Sequence, residues 1–122
     1  MDQSILFVGE KQSPLARRKG WHWPDGHVAA KQLFDALEAC GIEPTQCKFA
    51  NWLNTRSQAA IKAHVGPVVG MGNIVQTALT SAGITHIPIV HPAARGRIRK
   101  KERYIEHIRT TLTEHGILED TH

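Results

Sequence analysis

The sequence predicts an α/β fold: a three-layer sandwich with a four-stranded, mostly parallel central sheet. Three observations predict it. Short apolar runs alternate about four times with stretches of helical spacing, the pattern of strand–helix–strand units. The chain has 122 residues, enough for one compact domain and too few for two independently folding ones, so residues 1–122 are read as a single domain. Hydrophobic residues make up 41% and charged residues 21%, the balance of a chain that buries a core.

The elements follow in order. Ile5-Leu6-Phe7-Val8 is an apolar run ending at Gly9 and reads as a buried strand. Residues 10–26 hold Pro14, Pro24, Gly20, Gly26 and the basic run Arg17-Arg18-Lys19. They predict a long loop, and long loops in small domains are usually functional. Residues 27–40 carry Val28, Leu33, Leu37 and Cys40 at helical spacing, with Asp25 as a cap and Gly41 past the end. Residues 47–53 alternate loosely and predict a strand, and residues 57–64 a short helix. Residues 65–69 predict a buried strand leading into Gly70, with Pro67 near its start. Residues 73–82 predict a helix closed by Gly83, and residues 85–90 a fourth strand ending at His91-Pro92. After a basic segment, residues 95–103, a last helix spans residues 104–115. Ile105, Ile108 and Leu112 lie on one of its faces.

In such sheets ligands sit at the carboxyl ends of the strands. The informative residues are therefore Gly9-Glu10, Asn51, Gly70-Met71-Gly72 and His91-Pro92. Gly70-Met71-Gly72 is a poor dinucleotide fingerprint. Val75 stands at the third glycine position, and Val90 and His91 stand where an acid is needed. A tight turn with close backbone packing is the plainer reading.

Cys40 and Cys47 are the only cysteines. They exclude a disulfide scaffold and a four-cysteine zinc or iron–sulfur site built within this chain. His22 and His27, and His86 and His91, stand five apart with no Cys or acid at ligand spacing, so no metal and no cofactor are expected. The start Met1-Asp2-Gln3-Ser4 lacks the basic region of a secretory signal. No apolar stretch approaches the ~20 residues of a membrane span. A reducing, cytoplasmic setting is expected. Lys+Arg total 15 and Asp+Glu 11, a formal net charge of +4 that admits a polyanionic partner. Eight His predict stronger anion affinity at mildly acidic pH.

Two features concentrate chemistry. Trp21-His22-Trp23 puts two of the three Trp in one Gly/Pro-flanked loop, as a core-edge cover or as the stacking wall of a base pocket. Arg95, Arg97, Arg99, Lys100, Lys101 and Arg103 give six basic residues in nine, with Glu102 the only acid. That is a solvated helix start or a phosphate-gripping loop, and its place just after a strand end favours the second.

Four segments, in order, resemble the uracil-DNA glycosylase superfamily, especially its small Gly-Glu-Ala-Pro-Gly branch. Ile5-Leu6-Phe7-Val8-Gly9-Glu10 resembles the first strand and the start of that motif. Phe49-Ala50-Asn51 resembles the strand that ends in the base-reading Asn. Pro67-Val68-Val69-Gly70-Met71-Gly72 resembles the next strand and turn. Ile87-Pro88-Ile89-Val90-His91-Pro92-Ala93 resembles the second motif, of His-Pro-Ser type, and the basic segment stands where the family has its intercalating loop. The chain departs from the family at Lys11-Gln12-Ser13, which replace Ala-Pro-Gly, and it is markedly shorter than typical members.

The resemblance implies an uracil-DNA glycosylase-like fold and a protein that flips uracil or a related modified pyrimidine from DNA and releases it hydrolytically. Breaking the glycosidic bond makes the sugar oxocarbenium-like and the leaving base anionic, so a donor near the base oxygen is needed. The resemblance assigns that role to His91. It gives Asn51 the base edge, since an amide both donates and accepts, and lets Glu10 orient water. Gly9, Lys11, Gly70 and Pro92 would line the pocket, Trp21 or Trp23 would stack on the base, and Arg95, Arg97, Arg99, Lys100 and Lys101 would hold phosphates. The expected partner is single- or double-stranded DNA. A second copy or another protein subunit covering an aromatic patch is also admitted. Two other readings stand beside the enzyme. One is a non-catalytic nucleic-acid or nucleotide binding module on the same fold, favoured by Lys11-Gln12-Ser13. The other is an enzyme on free nucleotides, which the Arg/Lys cluster weighs against.

Overall fold

The apolar runs form strands because β-branched and large apolar residues buried on both faces suit a covered parallel sheet. In the computed structural model, which describes residues 4–10, 29–53, 55–92 and 100–118, four strands pair. They are β1 (Leu6–Gly9), β2 (Lys48–Asn51), β3 (Val68–Met71) and β4 (Ile87–Ile89). The helices are α1 (Ala29–Ala39), α2 (Thr55–Ala63), α3 (Asn73–Ser81) and α4 (Lys101–Glu114). The sheet order is β2-β1-β3-β4 and every pairing is parallel. The α/β class with a four-stranded central sheet is therefore as the alternation predicts, and the described pairing is wholly parallel.

Period-two alternation sends the strand side chains to two cores. Phe7, Val69, Met71, Ile87 and Ile89 pack against Leu33 and Leu37 of α1 and Tyr104, Ile108 and Leu112 of α4. Leu6, Val8 and Val68 pack against Ile61 of α2 and Val75 and Leu79 of α3. Among the described residues, helices thus cover both faces, two on each, as in a three-layer sandwich.

Most element boundaries shift by one to three residues from the sequence reading, and those of β3 and α4 bear on the site. Pro67 has no N–H to give and lies before β3, where its carbonyl accepts from the Leu6 N–H at 2.9 Å. The strand therefore starts at Val68, leaving Val65 outside it and 61% exposed. It also runs on through Gly70 to Met71, so the turn glycine is Gly72, at φ 90°. Finally, α4 begins at Lys101 and takes in the end of the basic segment.

Gly70 lies on the α3 side of the sheet. A Cβ there would meet His86 Cδ2 and Leu79 Cδ1 at 3.1 Å and Gln76 Cγ at 3.3 Å. Gly70→Ala is therefore expected to destabilise the protein by about 1–3 kcal/mol through overpacking. The check is a lower urea midpoint at unchanged m-value, with ligand binding by the folded fraction unaltered.

Candidate functional site

Strand order sets where a crevice can open. After β1 the chain moves outward to β2, and α1 covers one face. After β3 it moves the opposite way to β4, and α3 covers the other face. The carboxyl ends of β1 and β3, which are neighbours, are thus a topological switch point, the usual place for a ligand in such sheets.

The described site residues cluster along this rim. Gly9 pairs with Asn51 across β1 and β2, and Val8 pairs with Gly70 across β1 and β3. The β1–β2 pairing continues one step beyond the strands. Trp52 N–H donates to the Gly9 carbonyl at 2.7 Å, and Leu53 N–H to the Glu10 carbonyl at 2.8 Å. The backbone that carries Glu10 is therefore fixed. Across the switch point, Gly72 N–H donates to the Ile89 carbonyl at 3.0 Å. A Cβ on Gly72 would lie 3.4 Å from His91 Cβ, so the turn after β3 and the segment after β4 touch.

Glu10 and His91 are close enough to interact electrostatically. Burial pushes the His91 pKa below its ordinary value, and the Glu10 charge works in the opposite direction. Burial prevails, so the neutral form of His91 is favoured. His91 therefore adds less than an ordinary histidine to the positive charge gained on mild acidification. Burial also lowers the pKa of His107, and these two resist charging.

The structure thus brings Gly9, Glu10, Asn51 and His91 to one rim, with Pro92 buried next to His91. Gly70 stands apart from them. It is inside β3, on the face opposite that of Phe49 and Asn51, and its surroundings are those of a packing position. Lys100 caps α4 and Lys101 opens it, and both are exposed. The Lys101 ammonium lies 4.0 Å from Asp35, which also takes Lys31 at 3.0 Å, in surface pairs of little energetic weight. Lys11, Trp21, Trp23, Arg95, Arg97 and Arg99 lie outside the described residues.

Three residues not singled out in the sequence hold the rim together. Gln76 Nε2 donates to the carbonyls of Gly70 and Ile89, at 3.0 and 2.9 Å, tying β3 to β4. Tyr104 Oη donates to the Val90 carbonyl at 2.9 Å, and Val90 N–H donates to His107 Nε2 at 3.0 Å. The legible signal was Tyr104 and His107 three apart on the same helix as the apolar Ile108 and Leu112. Polar groups on a core-facing stripe need partners.

An open groove lined by Leu6, Lys48, Ile61, His64 and Val65 lies along the β2 edge beside α2 and takes in none of the rim residues. Among the described residues, no group of three or more His, Cys, Asp or Glu is placed to hold a metal ion, and no helix is long and apolar enough to cross a membrane. Compared with protein-family models and with curated proteins, the chain matches none.

Proposed function

We propose that the protein is a DNA glycosylase-like enzyme that acts on uracil or a related modified pyrimidine. The observation that carries this reading is the switch-point rim: Asn51 and Glu10 stand at the ends of the neighbouring strands β2 and β1, and a neutral His91, within electrostatic reach of Glu10, follows β4 against the turn after β3. The chemistry follows from these groups. The base leaves its stack and enters the crevice. The bond from C1′ to the base nitrogen breaks, and its electron pair goes to the base. His91 donates its N–H to the base oxygen on which that charge collects. A neutral donor suits this task, because it stabilises the anion without first having to be protonated at neutral pH. Asn51 reads the base edge with one donor and one acceptor. Glu10 orients the water that adds to C1′, and the proton from that water restores the base.

The start of α4 supports a polyanionic substrate. Lys100, Lys101 and Arg103 sit at a helix N-terminus, where the macrodipole disfavours cations, and Glu102 is the one acid in the first turn. Local rules broken in this way are expected at functional sites. Bound phosphates would relieve the conflict.

The test is strand scission. End-labelled single- and double-stranded oligonucleotides carrying one uracil are incubated with the protein and then treated with hot alkali. Scission at uracil and not at thymine is the expected result. No scission with salt-sensitive retention would favour the binding module, the reading that Lys11-Gln12-Ser13 supports. Neither scission nor retention would end the DNA reading. In a salt titration, log Kd is expected to rise linearly with log salt. Lys100→Ala and Arg103→Ala should each lower the slope by about one, through the loss of one phosphate contact. An unchanged slope would remove α4 from the interface.

A further inference from the structure

We propose that Tyr104 and His107 are positioning residues, which hold the peptide on which His91 is mounted and so set the aim of its ring. The inference rests on the role given to His91 above. β4 ends at Ile89, whose carbonyl accepts from Gly72 N–H. Val90 is the first residue past the strand, and His91 is the next. Both backbone polar groups of Val90 are taken by α4: the carbonyl by Tyr104 Oη at 2.9 Å, the N–H by His107 Nε2 at 3.0 Å. Two bonds, one on each side of the Val90 Cα, fix the orientation of the following peptide.

The clamp is rigid. Tyr104 is 1% exposed inside the α1/α4 core, and its ring lies 6.1 Å from that of His107, centroid to centroid. Packing alone would be met by Phe at position 104, and exposure alone would leave His107 on solvent. The paired bonds to a single residue beside His91 are what a positioning role adds. The arrangement also requires one protonation state. His107 Nε2 accepts a hydrogen bond, so the ring is neutral with its proton on Nδ1. A second proton would turn the acceptor into a donor facing Val90 N–H and open the clamp. The elements around α4 carry Lys31, Asp35, Glu38 and His91, and α4 itself carries Arg103 and Glu106, yet burial alone lowers the His107 pKa. The clamp is therefore closed at neutral pH and opens as pH falls through that lowered value.

The experiment combines NMR with kinetics on the full chain. Tyr104→Phe, His107→Ala and His107→Gln are compared with wild type, with folding checked by far-UV circular dichroism. The first readout needs no activity: the Val90 amide and His91 ring resonances, followed from pH 8 to 5. In Tyr104→Phe and His107→Ala, both sets are expected to shift at pH 7.5. Unchanged His91 resonances in both would overturn the proposal. The second readout is scission rate against pH. Wild type is expected to lose rate with two protons, those of His91 and His107, and His107→Gln with one, because Gln accepts without titrating. His107→Ala should lose about 10²-fold in kcat at pH 7.5 with oligonucleotide affinity within about threefold, the signature of a misaimed group. A one-proton profile in wild type would overturn the proposal. Should wild type cleave nothing, the glycosylase reading falls, and the NMR arm still decides whether α4 holds His91.

Discussion

His91→Ala is expected to lower scission at uracil by about 10²–10³-fold, the usual effect of removing one preorganised donor to a developing anion. Binding of the oligonucleotide should persist, since phosphate contacts supply most of the affinity and come from other residues. His91 lies outside the regular elements and both hydrophobic cores, so the variant should fold. A loss of melting temperature parallel to the loss of activity would instead make His91 a structural residue. The pH dependence carries the same sign. Burial lowers the His91 pKa, so the neutral donor persists at neutral pH and is converted to the cation only as pH falls well below the ordinary histidine value. Stability follows in step. The unfolded chain takes up this proton first, so the folded state loses stability as pH falls from the ordinary value toward the lowered one.

The second large effect falls on folding. Phe7→Ala is expected to cost about 3–5 kcal/mol, the range for an aromatic ring lost from a packed core. Phe7 is fully buried at the centre of the sheet, on the α1/α4 side. Its ring stacks on Phe49 with centroids 5.5 Å apart and planes 17° from parallel. Phe34 of α1 closes on the same Phe49 ring at 5.2 Å. Removal therefore empties one position and loosens two neighbours. Since small domains are stable by only about 5–15 kcal/mol, much of the margin would go. Urea denaturation gives the number directly, and a loss under about 1 kcal/mol would mean that Phe34 collapses into the space.

Much of this fold is written locally. Ile5-Leu6-Phe7-Val8 and Pro67-Val68-Val69 announce buried strands by composition alone, and helix α3 is bracketed by Gly72 and Gly83, both at positive φ. Strand order is not written locally. No short-range pattern in β1 says that β2 lies on one side of it and β3 on the other, and that order places the crevice. The site was legible in the same proportion. Glu10, Asn51 and His91 stand out because each ends an apolar run. Gly70 reads as part of a turn because it is a glycine near a strand end, whereas β3 runs through it and its missing side chain makes room for Leu79, Gln76 and His86. Gln76, Tyr104 and His107 were hidden because their bonds reach across 6 to 17 residues to backbone groups, which every residue carries alike.

The parallel sheet also has a kinetic consequence. None of the four described strands pairs through a hairpin. Leu6 meets its β2 partner Lys48 across 42 positions and its β3 partner Val68 across 62. The central strand is made first and waits longest for its neighbours. Such high contact order slows folding, because loop closure must be paid before pairing repays it. On the ribosome, Leu6, Phe7 and Val8 would emerge well before their partners in β2 and β3, which makes β1 the described strand most in need of protection during synthesis.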